Sequence, residues 1–125
     1  MTPSPAPMTI REAPFDRRIA LERLCGDEEL LAEFARSVRD EVPTAVARIR
    51  KALSAGSTEE AHLAAHNLKG MLATLEARPA TALATDVEQL SKAGAAELAA
   101  QSLDRLTREL DRLLEALGND KRIPR

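Results

Sequence analysis

Apolar residues recur at intervals of three or four over most of this 125-residue chain, and residues that favour turns collect in short clusters between the runs. That rhythm matches the 3.6-residue turn of an α-helix and leaves little room for strands. Leu31, Phe34, Val38, Val42, Ala45, Ile49 and Leu53 keep one phase across Pro43. The pattern predicts a single long helix, capped by Asp27, with Glu28 and Glu29 in its positive first turn and a kink at the proline. Ser57-Thr58-Glu59-Glu60 has the spacing of a capping box, Ser57 to Glu60, and opens a helix expected to reach about Glu76. Arg78-Pro79 then makes a tight connection, because the residue before proline avoids the helical region while proline itself suits a first helical position. The next helix directs Leu83, Val87 and Leu90 toward the core and stops near Gly94. The last starts near Ala95, carries Ala99, Leu103, Leu106, Leu110, Leu113 and Leu117 as a narrow apolar seam, and ends at Gly118-Asn119. Ahead of these, Asp16 caps a short helix with Phe15 as a hydrophobic staple, Ile19, Ala20 and Leu24 on one face, and an end near Gly26.

Short connections make neighbouring helices antiparallel. The expected fold is therefore all-α: an antiparallel up-and-down four-helix bundle, with the short additional N-terminal helix as a lid. Residues 1–14 carry Pro3, Pro5, Pro7 and Pro14 and read as a flexible leader, residues 15–118 as the bundle, and 119–125 as a loose tail. One domain of this size can enclose a single core.

Several classes of function are disfavoured by composition. A net charge of −2 offers no basic excess to follow a phosphate backbone, and Phe15 and Phe34 are too few aromatics for a base-stacking platform. Nucleic acid is not expected as a partner. No βαβ pattern or glycine-rich phosphate loop is present to hold a nucleotide. Cys25 has no second cysteine to pair with and reads as a packing residue. With no apolar run of about 18 residues and no signal-peptide core, the expected setting is cytoplasmic, without membrane attachment.

The residues that carry chemistry are Ala65-His66-Asn67-Leu68-Lys69-Gly70. On a helical wheel Ala61, Ala65, Leu68, Leu72 and Leu75 form one buried stripe, which turns His66 to solvent together with His62, Lys69, Gly70 and Ala73. Glycine inside a helix costs about 1 kcal/mol relative to alanine. A physical reason for Gly70 is access: a bare patch one turn from a nucleophilic imidazole lets another protein approach, and Lys69 places positive charge near an incoming anion. Counting along the hairpin brings a further group to the ring. His66 and Glu88 each lie 11 residues from Ala77, the centre of the connection, so they should stand at equal height on adjacent helices. Lys92, one turn beyond, would add a second positive charge; the plainer alternative is a solvated Glu88–Lys92 pair.

The stretch from Ala65 to Gly70 resembles the signature of the histidine-containing phosphotransfer (HPt) family, a helix reading Ala-His-x-Leu-Lys-Gly, and the resemblance in helix pattern extends from about Phe15 to Leu117. It implies a phosphocarrier in a multi-step His-Asp phosphorelay, not an enzyme with kinase activity of its own. His66 would be the phosphoacceptor, taking a phosphoryl group from a receiver-domain aspartate and passing it to another. Lys69 would assist the phosphate, and Gly70 would clear the docking surface with His62, Ala73 and Lys92 around it. In that family a Gln or Glu at the spacing of Glu88 often bonds the ring's Nδ1. The implied partners are receiver domains of response regulators or hybrid histidine kinases, and the chain itself is expected to be a monomer. It would need no cofactor, with Mg²⁺ expected in the receiver's acidic site. Met71 stands where the family commonly has a small residue, and Glu76 where glycine is frequent.

Two other readings compete. His62 and His66 have a spacing that can hold a metal, but two ligands are too few without carboxylates such as Glu59 or a second protomer, so no metal site is expected. A helical adaptor or dimerisation module that never takes phosphate is the rival from a different class, and Met71 and the apolar final seam lend it support.

Overall fold

The computed structural model describes residues 12–120 and Ile123. The remainder of the proline-rich leader and of the expected tail lies outside the described residues. Two aspartates set the first helices: Asp16 accepts a hydrogen bond from the Ile19 amide at 3.1 Å and starts α1 (Arg17–Arg23), and Asp27 accepts from Leu30 at 3.0 Å and starts α2 (Glu28–Ser54). Each carboxylate satisfies an amide that the first helical turn leaves unpaired. Then follow α3 (Thr58–Thr74), α4 (Arg78–Lys92) and α5 (Ala96–Asn119), and the described residues contain no strand. α2 stays continuous through Pro43, with Val38, Val42 and Ile49 buried on both sides of it. A shared core holds the two halves in register where the proline removes a backbone bond.

α2 packs against α3 and α5, and α4 packs against the same two, so the four long helices close into a ring around one core. The seam foreseen on α5 is buried throughout, from Ala99 to Leu117, and meets Leu68, Leu72 and Leu75 from the α3 side in the same cluster. Burying aliphatic side chains of this kind contributes about 1.5–3 kcal/mol each. The arrangement is the expected all-α four-helix bundle with a short extra N-terminal helix.

α1 lies at the end of the bundle where α2 begins, α3 turns into α4, and α5 finishes. The Asp16 amide donates to the Leu75 carbonyl at 3.2 Å, Arg17 pairs with Glu28 and with Asp120, and Arg23 donates to the Ala73 carbonyl and pairs with Glu76 at 3.1 Å. Ile123 is buried.

Three local expectations need correction. Ser57 makes no side-chain cap bond, so the capping box does not form. The helix before it accounts for the reciprocal half of the box: the Ser57 amide, which Glu60 would have taken, donates instead to the Ala52 carbonyl at 2.8 Å, while Gly56 at φ 75° donates to Leu53. This is a Schellman closure of α2. The inner face of α4 is made of Ala80, Ala84, Val87, Glu88 and Ser91, with Leu83 and Leu90 half-buried at its edge. Cys25 is exposed, in the turn between α1 and α2, where it adopts φ 59°, and is not part of the core.

Candidate functional site

α3 runs past α4 in the order the hairpin count requires, and the wheel reading holds along it. Ala61, Ala65, Leu68, Leu72 and Leu75 are all fully buried, while His66 keeps 62 % of its side-chain area exposed. The stripe fixes the helix rotation, and that rotation puts the imidazole on the outside.

Across the α3–α4 groove, Glu88 reaches the ring. Its Oε2 lies 2.6 Å from His66 Nδ1 and its Oε1 lies 2.6 Å from Lys69 Nζ, so one carboxylate bridges two side chains a turn apart on α3. Only 11 % of the Glu88 side chain is exposed, against 62 % for His66. The anion is thus largely out of water and the ring is not. The Lys69 hydrogen bond holds the Glu88 carboxyl below its ordinary value; burial pushes the other way, and the His66 hydrogen bond and the charges of both partners add to the lowering. An ionised carboxylate can only accept, so Nδ1 carries the hydrogen in this contact. In the neutral ring that leaves a lone pair on Nε2, the atom on the far, exposed edge.

The other candidates fall around this pair. His62, half-buried one turn before His66, donates from Nδ1 to the backbone carbonyl of Glu88 at 3.2 Å. This contact gives His62 a partner on α4 that sequence spacing does not reveal, because a backbone carbonyl leaves no mark on the residue pattern. Gly70 and Ala73 are exposed, and beyond its own stretch of helix a Cβ added at Gly70 would meet no atom of the described residues within 4 Å. Packing among the described residues therefore does not explain the glycine. Lys92 is exposed at the end of α4 and makes no hydrogen bond or ion pair among the described residues, so the solvated Glu88–Lys92 pair does not form. Glu88 is committed to α3 instead.

Two further features border the site without having been foreseen. Arg23 of α1 binds the Ala73 carbonyl, and Thr74 Oγ1 donates to the Gly70 carbonyl at 3.2 Å. The first joins residues 50 apart in sequence, and no local signal announces it. Among the described residues no group of three His, Cys, Asp or Glu side chains could hold a metal ion. No helix among them is long and apolar enough to cross a membrane.

Chemically, the arrangement is a solvent-facing imidazole of fixed tautomer, an adjacent ammonium, and open ground on one side. Comparison with known proteins adds one finding: a family model described as "Hpt domain" matches residues 28–117, from the start of α2 to the buried Leu117 of α5. No curated protein and no solved structure matches the chain.

Proposed function

Since the chain belongs to the Hpt domain family, a family of phosphorelay phosphotransfer domains rather than kinases, we propose that it carries a phosphoryl group on His66 between receiver-domain aspartates. The observation that supports this most is the 2.6 Å contact between His66 Nδ1 and Glu88, made by a ring that is otherwise open to solvent. Nε2 attacks the phosphorus of an aspartyl phosphate, the P–O bond breaks, and its electron pair returns to the aspartate carboxylate. The Nδ1 proton stays on the ring throughout, held by Glu88. Onward transfer is the reverse step with a second aspartate as nucleophile. A loose phosphoryl-transfer transition state asks mainly for in-line positioning and charge neutralisation. Lys69 supplies charge from this side, and the receiver's own acidic site, with its Mg²⁺, supplies the rest.

The partners are receiver domains of response regulators or of hybrid histidine kinases, and they dock over Gly70 and Ala73, with His62 and Lys92 at the rim. The proposed setting is the cytoplasm, with the chain acting as a monomer.

Incubation with a phosphorylated receiver tests the reading. The wild-type chain acquires an acid-labile, base-stable label, and His66→Gln acquires none. Label retained by His66→Gln excludes His66 as the sole acceptor, and a wild-type chain that binds receivers yet never takes label favours the adaptor instead.

A further inference from the structure

We propose that the charge of Glu88, beyond its hydrogen bond, sets how long His66 keeps a phosphoryl group: the carboxylate holds Nδ1 protonated after phosphorylation, and so keeps the carried group labile. The inference rests on His66 as phosphoacceptor and deepens that reading, with Glu88 as a positioning residue that acts through the ring.

Attack by Nε2 of a ring already bearing hydrogen on Nδ1 produces an N-phosphoryl imidazolium. Its later breakdown depends on that hydrogen. While Nδ1 is protonated, the P–N electron pair returns to Nε2 and the departing group is neutral imidazole. Once Nδ1 has lost its proton, the same cleavage must expel an imidazolide anion, a far poorer leaving group. In hydrolysis the water oxygen bonds to phosphorus, the P–N bond breaks toward the ring, and the water proton leaves with phosphate or solvent. The ring then returns to its starting tautomer.

The geometry places a carboxylate on the proton that decides between these courses. Glu88 is nearly buried and 2.6 Å from Nδ1, where low local polarity strengthens its attraction for a cationic ring. Other charged and titratable groups lie on the same two helices. On α3, Lys69 shares the same carboxylate at 2.6 Å, and His62 is turned to the Glu88 carbonyl. On α4, Asp86 and Lys92 are exposed. Lys69 is the one that opposes Glu88, because an ammonium on Oε1 weakens the pull of Oε2 on the ring proton. A phosphoryl dianion on Nε2 competes for Lys69, and each step of the ammonium toward phosphate strengthens the hold of Glu88 on Nδ1. Arrival of the phosphoryl group thereby reinforces the protonation that permits its departure.

Phosphoramidate, a small phosphoryl donor that needs no receiver, supplies the test on the full chain. After donor removal, decay of phosphohistidine is followed by phosphorus NMR from mildly acidic to mildly alkaline buffer. Wild-type decay is expected to persist into alkaline buffer. Glu88→Gln keeps the shape and an acceptor oxygen but not the charge, and its decay there should slow by about tenfold, the effect of removing one opposite charge at contact distance. Superimposable pH profiles for the two proteins overturn the proposal. Nitrogen-15 NMR of the wild-type phosphoprotein gives an answer that requires no variant: Nδ1 found unprotonated at neutral pH overturns it as well. Failure of both phosphoramidate and a phosphorylated receiver to label His66 in the wild-type chain instead overturns the phosphocarrier reading beneath it.

Discussion

A carboxylate that serves an imidazole and an ammonium at once, while largely excluded from water, carries a stability signature that pH can expose. The Glu88 carboxyl is held below its ordinary value, by Lys69 first and by His66 in addition, against the opposing effect of burial. A depressed folded-state value means that the unfolded chain binds more protons in the window between the two values. The Glu88 contribution is therefore fully present above the ordinary value of 4.5 and is lost as pH falls through the folded one. Glu88→Gln does not titrate. Denaturant unfolding should find it less stable than wild type by about 1.5–3 kcal/mol near neutrality, the size of hydrogen bonds to a charged group, with the gap closing in acid. A gap that widens in acid contradicts this account. At this scale the sequence was informative where counting suffices: the equal distances of His66 and Glu88 from Ala77 foretold their shared height. It was silent on the His62 contact, whose acceptor is main chain.

Between elements, one turn recurs. α2, α3 and α4 each end in a left-handed residue, Gly56 at φ 75°, Glu76 at φ 52° and Gly94 at φ 78°, followed by an amide that donates back to the carbonyl five residues earlier. Glycine reaches this conformation without penalty, whereas a side chain there costs roughly 1–2 kcal/mol. Glu76 has a compensation in Arg23, which pairs with it and also binds the Ala73 carbonyl. The two effects separate in a double-mutant cycle. Glu76→Gly alone should change stability little, since relief of the backbone is offset by loss of an exposed pair worth up to about 1 kcal/mol. In an Arg23→Ala background, where that pair is already gone, Glu76→Gly should stabilise by about 1 kcal/mol. Equal effects in the two backgrounds would show that the pair contributes nothing. The Schellman turns also bear on the capping box at Ser57: its residues fit the motif, but the amide that Glu60 would take is held by the helix before. Motifs at neighbouring helix ends compete for the same donors, and composition does not say which one wins.

For the molecule as a whole, the four long helices close around one core. Leucine periodicity was sufficient to read the bundle, but not the rotation of α4. Its inner face is alanine, valine, serine and Glu88, which leave only a weak hydrophobic contrast against the half-buried leucines beside them. Gly70 belongs to this scale because no contact among the described residues requires it: a Cβ there meets open space. Gly70→Trp should accordingly fold and melt much as wild type does, yet weaken receiver binding by about tenfold or more, some 1.4 kcal/mol. Titration calorimetry checks the second half and thermal melts the first. Undiminished affinity would remove the access argument for the glycine.

The way His66 meets Glu88 also defines what kind of change the hairpin can absorb. Both are placed by equal lengths of regular helix on either side of one tight corner, so single replacements along those lengths leave the meeting intact if the core stripe survives. Losing one residue from either helical length is different: it swings everything beyond by about 100° and slides it about 1.5 Å. The partnership is thus a property of spacing, robust to spelling errors and intolerant of missing letters.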